Sequence, residues 1–245
     1  MEGINASNFR RIYLGLLANI IAVAGMTVAF FVIATVLDRQ MISAGLNTDN
    51  ISGATIARFP GIMTKLLYAV MILRYCASAL CSILVISGLD ELRKCSQSYV
   101  QARYLFLALI FGSAFSMIVH IYSATIYGDS AFEQAGGFRV FLEAALFIVR
   151  GVALAELLKG DMDVLNCIGA TLEVERIRNL CFITPILFLA LGIARVADHF
   201  APEMSMLSTI IFAVIVFAFI ICDIIIYIRI IIISGKLAET IASIS

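Results

Sequence analysis

The sequence predicts an all-α integral membrane protein, a bundle of about six transmembrane helices forming one polytopic domain over 1–245. Three observations carry this reading. The chain is 62% hydrophobic and only 14% charged, whereas soluble domains hold about 45–50% apolar and about 25% charged residues. A globular core cannot absorb that surplus, because a domain of this size still turns much of its surface outward; lipid can. Finally, the apolar residues fall in six runs of the length, about 20 residues, that crosses a bilayer as a helix.

The runs cover approximately 13–36, 66–88, 104–127, 139–158, 180–197 and 206–233. The first follows Arg10 and Arg11 and outlasts the roughly 7–15-residue apolar core of a cleaved signal, so it reads as a retained helix. The fifth holds Thr184-Pro185, and proline predicts a kink near its start. The sixth is long enough to tilt or to project beyond the lipid. With the N-terminus inside, ten basic residues, from Arg10 to Lys236, fall on the inner side. Five fall on the outer side: Arg39, Arg58, Lys65, Arg139 and Arg195. That excess places both termini in the cytoplasm, and the plasma (inner) membrane is the expected location. With Trp absent, Tyr13, Tyr68, Tyr104, Tyr127 and Tyr227 are left to form an aromatic belt.

The runs also suggest three two-helix hairpin repeats. Arg103 and Arg178 each precede a run, 75 residues apart, and Gly160 and Gly235 each follow one at the same spacing. Gly88, Leu92 and Cys95 are echoed by Gly160, Val164 and Cys167. Two-helix repeats share an orientation, so three of them imply a pseudo-threefold axis along the membrane normal, as parallel repeats in transporters do.

Several function classes are excluded. The chain holds 17 basic and 17 acidic residues, no balance for gripping phosphate backbones, so nucleic acid is not an expected partner. There is no His-Glu-x-x-His, nucleophile elbow, phosphate loop or Cys-x-x-Cys, so neither an enzyme nor a bound cofactor or metal is expected. His120 and His199 sit in different helices with no sign of matched depth for a haem.

What remains is charge inside the apolar runs. An ionised side chain at the bilayer centre costs about 2.5–3.5 kcal/mol and normally faces a partner or a wet cavity. Arg150 lies near the middle of the fourth run, too deep to snorkel. Glu143, seven residues earlier, shares its face two turns away. Arg74, in the second run, has a depth between the two, so an Arg74–Glu143 pair is expected. Asp223, in the sixth, could serve Arg150. In the third run Ser113, Ser116, His120, Ser123 and Ala124 recur at spacings of three and four and form a small polar face. In the first, Ala18, Ala22, Gly25 and Ala29 form a small-residue packing seam. Between Glu156 and Arg178, Leu157, Val164, Leu165, Ile168 and Leu172 recur at helical spacing beneath several acids, an amphipathic extension of the fourth helix.

These residues point to a small membrane transport protein or permease subunit that moves a small solute or ion through the bundle. Arg74 and Arg150 are the candidate anion contacts, Glu143 and Asp223 the counter-charges, and His120 a polar lining group. The alternative is a non-catalytic scaffold or assembly subunit in which the same charges pair between chains. The expected partners are the lipid bilayer and other membrane subunits, or further copies of this chain.

Overall fold

The computed structural model describes residues 5–43, 62–127, 136–200 and 206–244; some side chains within these helices are not described. Among the described residues there are six helices and no strand: α1 (Ala6–Ser43), α2 (Ile62–Leu92), α3 (Gln97–Tyr127), α4 (Gly136–Cys167), α5 (Thr171–Phe200) and α6 (Met206–Ile244). Each expected run lies inside one helix, and every helix outlasts its run. At 1.5 Å per residue α1 is about 57 Å long, well beyond the ~30 Å of hydrocarbon.

Local chemistry explains the helix ends. Asn5 and Ser96 stand just before α1 and α3, and their side-chain oxygens accept hydrogen bonds from the Ser7 and Ser98 amides at 2.9 and 3.1 Å, which satisfies a donor the helix leaves open. α4 is capped just past its end by Gly169, whose φ of 78° only glycine adopts without cost. Its amide donates to Asn166 O at 3.2 Å and that of Ala170 to Leu165 O at 3.0 Å, the pair of bonds that closes a Schellman cap. α5 runs unbroken through Pro185, and the Thr184 hydroxyl donates to the Leu180 carbonyl at 2.7 Å.

The helices form a ring in chain order. Each packs against its sequence neighbours, and α6 closes the ring on α1. The start of α1, the end of α2, the start of α3, the end of α4, the start of α5 and the end of α6 gather at one end of the bundle, here called the terminal end. The tightest core lies there: Phe9, Ile12, Leu89, Leu92, Tyr99, Leu157, Ile177 and Leu237 are all but inaccessible. Close approaches fix the helix rotations. A Cβ on Gly15 would sit 2.9 Å from the Cys81 carbonyl, and one on Gly88 2.5 Å from the Asn8 carbonyl, so α1 and α2 touch backbone to backbone. Gly151 instead takes the Phe188 side chain against its backbone, with Phe188 Cβ 2.5 Å from where a Cβ would stand, locking α4 against α5.

Outward faces are apolar. Ile21, Leu80, Phe111, Phe182 and Ile186 are each more than 60% exposed, a surface that water would not tolerate over this area. Among the described residues four stretches are long and apolar enough to cross a bilayer: Ala6–Met26, Ala69–Leu92, Gln97–Tyr122 and Ile177–Ala194. These are the marks of a membrane protein. α4 carries Arg139, Glu143, Arg150 and Glu156 and falls outside that set. In α6 the side chains of 206–220 lie outside the described residues.

Candidate functional site

Three helices aim polar side chains at one cavity inside the ring. On α2, Arg74 and Ser78 are one turn apart, with Tyr75 beside them. On α3, Ser113, Ser116 and His120 are buried, so the small polar face expected there does point inward; Ser123 and Ala124 have side chains outside the described ones. On α4, Glu143 and Arg150 share a face, as their seven-residue spacing dictates. The resulting cavity, of about 60 Å³, is lined by Arg74, Tyr75, Ser78, Ser113, Glu143, Phe147 and Arg150. A water needs about 10–15 Å³ measured this way, so the space suits a few waters or one small ion.

Arg150 is the pivot. The Gly151 contact turns α4 so that the next residue back points away from α5 and into the ring. Its Nη2 donates to Ser78 Oγ at 2.9 Å. Among the described residues no carboxylate lies within ion-pair distance of this guanidinium. A second, smaller space on the terminal side of Arg150 is lined by Asn19, Ser82 and Tyr227 together with Leu16, Val85 and Phe106, so the cation stands between two recesses of mixed lining.

Glu143 belongs to a chain of polar contacts nearer the opposite end. The Tyr75 hydroxyl lies 3.3 Å from Glu143 Oε1, to which it donates, and 3.4 Å from His120 Nε2. The Tyr75 and His120 rings meet edge to face at 5.3 Å between centroids, an arrangement aromatic quadrupoles favour. Glu143 also forms an ion pair with Arg139, one turn back on α4, at 3.7 Å. Arg74, expected as its partner, lines the same cavity and remains exposed. Arg74, Glu143, His120 and Arg150 are therefore gathered in one region. The fifth candidate, Asp223, is in α6 and its side chain lies outside the described residues; so does that of His199.

Tyr75 escaped the sequence reading, although a hydroxyl directly after an intramembrane arginine was a usable signal. Tyr227 was expected in an interfacial belt; instead its ring is buried, 6.3 Å from that of Phe188.

A second polar cluster lies at the terminal end. Tyr99 donates to Asp161 Oδ1 at 2.8 Å, and both residues are essentially inaccessible. Asp161 Oδ2 has no hydrogen-bond partner among the described residues. Burial therefore raises the Asp161 carboxyl to about 7, against the smaller opposing effect of the Tyr99 hydrogen bond. Nearby, Ser96 donates to Asp163, Asn8 Nδ2 to Glu91 at 2.7 Å and Arg103 Nε to Asp90 at 2.6 Å. The connection after Glu156 is thus the packed end of α4, with Leu157, Val164 and Leu165 buried, as its amphipathic spacing implied. Among the described residues no three His, Cys, Asp or Glu side chains are grouped to hold a metal ion. No protein family, no curated protein and no solved structure matches the chain.

Proposed function

We propose that this chain is a small membrane transport protein, or the permease subunit of one, that conducts a small anion through the centre of its helix ring without catalysing a covalent reaction. One observation carries the reading: Arg150 lies inside the ring, held by a hydroxyl rather than by a described carboxylate, and faces a cavity that also takes Arg74. Packing alone gives no reason to keep such a cation, since an apolar residue of similar size would avoid its desolvation. A passing anion gives one. The cavity favours a solute of a few heavy atoms, and Ser78, Ser113 and Tyr75 supply hydroxyls that replace hydration. His120 and Glu143 border this path, and Asp223 is retained as a counter-charge on α6.

The topology that goes with this function has six crossings, with both termini in the cytoplasm of the plasma membrane. α4 and α6 supply the two crossings beyond the four apolar stretches, α4 because its charges turn inward. The three-hairpin arrangement is supported by recurring contacts. Arg150 and Ser78 are 72 residues apart, as are Gly88 and Gly160 (160 − 88 = 72), and Glu91 and Asp163 (163 − 91 = 72). Both of these acids accept a hydrogen bond from the start of the preceding helix.

The test is halide or nitrate influx into liposomes holding only the purified chain. Influx above that of protein-free vesicles, blocked by substitution of Arg150, supports transport. Influx no greater than that of empty vesicles, with the chain correctly inserted, removes the single-chain form of the proposal. One feature favours the scaffold reading as a second possibility: among the described residues nothing packs on Gly25, midway along the α1 seam, which leaves room for a neighbouring helix. Cross-linking at that position in native membranes separates the two.

A further inference from the structure

The ring closes where α6 meets α1, and among the described residues this seam is open at the terminal end. A groove of about 770 Å³ runs between the two helices, far larger than the cavity around Arg150. Its chemistry is layered. Arg10 on α1 and Lys236 on α6, both exposed, stand at its mouth beside Ser7. One turn further from the terminal end on each helix, Leu14 and Ile232 line the wall, each nearly half exposed. The same cation-above-apolar step is therefore built into two antiparallel helices at one depth. At the floor, Gly235 leaves the Tyr13 ring 3.7 Å from where a Cβ would stand, so glycine keeps the groove open rather than relieving a clash.

We propose that this groove is a binding site for one anionic phospholipid, with its phosphate between Arg10 and Lys236 and an acyl chain along Leu14 and Ile232. The occupant follows from the layering. Water is the wrong solvent for the walls and hydrocarbon the wrong one for the mouth, and an anionic lipid matches both in a single molecule. In the six-crossing topology proposed above, on which this placement rests, the ends of α1 and α6 lie at the level where basic pockets between transmembrane helices meet acidic headgroups. Glu239 also borders the groove; two cations less one acid leave one net positive charge. One such charge near a membrane surface is worth about fivefold in affinity for an anionic over a zwitterionic lipid.

The test does not involve transport. The full chain is equilibrated in nanodiscs of equal phosphatidylglycerol and phosphatidylcholine, extracted gently, and its retained lipid is weighed by native mass spectrometry. About fivefold enrichment of phosphatidylglycerol, at one lipid per chain, is expected. Two variants probe the groove separately. Arg10→Gln with Lys236→Gln removes the charge, and Gly235→Leu fills the floor with both cations in place; each should return the ratio to that of the bulk lipid. Circular dichroism and thermal unfolding confirm that the variants fold. Enrichment that survives Gly235→Leu would be general surface attraction and would overturn the proposal. So would equal retention of the two lipids, or a dimer that fills the groove and retains no lipid. Competition by inorganic phosphate as effective as that by phosphatidylglycerol would reduce the site to a phosphate site and overturn it too.

Discussion

Replacing Arg150 with methionine separates a functional cation from a structural one by the sign of its effect on stability. Methionine keeps the length of the side chain and removes the charge. Two effects oppose each other. The variant loses the hydrogen bond to Ser78 Oγ at 2.9 Å, and a bond to a charged group is worth about 1.5–3 kcal/mol. It also recovers the cost of holding a cation within the bilayer, about 2.5–3.5 kcal/mol on the insertion scale. The two nearly cancel, so Arg150→Met should be as stable as the parent or up to about 2 kcal/mol more stable, while anion influx into liposomes falls to the background. A structural ion pair gives the opposite result, because removing one partner of a buried pair typically costs about 3–5 kcal/mol. Reversible unfolding in mixed micelles measures the difference. A loss of about 3 kcal/mol or more would refute the reasoning, because it would mean that Arg150 holds the bundle together.

Other outcomes follow from the same geometry. Glu143→Gln removes the negative charge bordering the cavity, so influx should saturate at a lower anion concentration, read from its concentration dependence. Tyr75→Phe breaks the contacts to Glu143 and His120 and should cost roughly 0.5–1.5 kcal/mol per bond lost, measured by unfolding. Gly151→Ala puts a Cβ 2.5 Å from that of Phe188; such overpacking should destabilise by about 1–3 kcal/mol and lower influx as α4 rotates. Asp161 binds its proton more tightly folded than unfolded, its pKa moving from 3.8 to about 7. Stability should therefore fall as pH rises through that window, by up to about 1.4 kcal/mol per pH unit, and level off above it. Thermal unfolding of Asp161→Asn should lack that slope.

The helices were legible in the sequence because apolar length is a direct signature of a lipid-facing helix. Their extra length was legible only after Glu156, where helical spacing extends α4; the polar turns at the other helix ends follow no apolar rule. Asp161 shows the consequence. In the sequence it belongs to an acidic stretch facing water, yet α4 carries it into the packed terminal end, where Tyr99 covers it. Arg74, Glu143, His120 and Arg150 stood out because lipid excludes charge, and the structure gathers them in one region. Their partners were less visible. Pairing depends on helix rotation, which Gly151 and Gly15 fix through contacts in three dimensions, so Ser78 and Tyr75 could not be matched to Arg150 and Glu143 by spacing alone. The Glu143–Arg139 pair is the exception: it follows from one helical turn on a single helix.

Transport by this ring is tested most directly by chloride influx into liposomes that contain only the purified chain, with Arg150→Gln measured at equal insertion. The expected result is influx well above that of empty vesicles, reduced at least about tenfold by the substitution, a loss equivalent to about 1.4 kcal/mol. Influx equal to that of empty vesicles, or unchanged by the loss of Arg150, contradicts the proposal that this arginine lines an anion path.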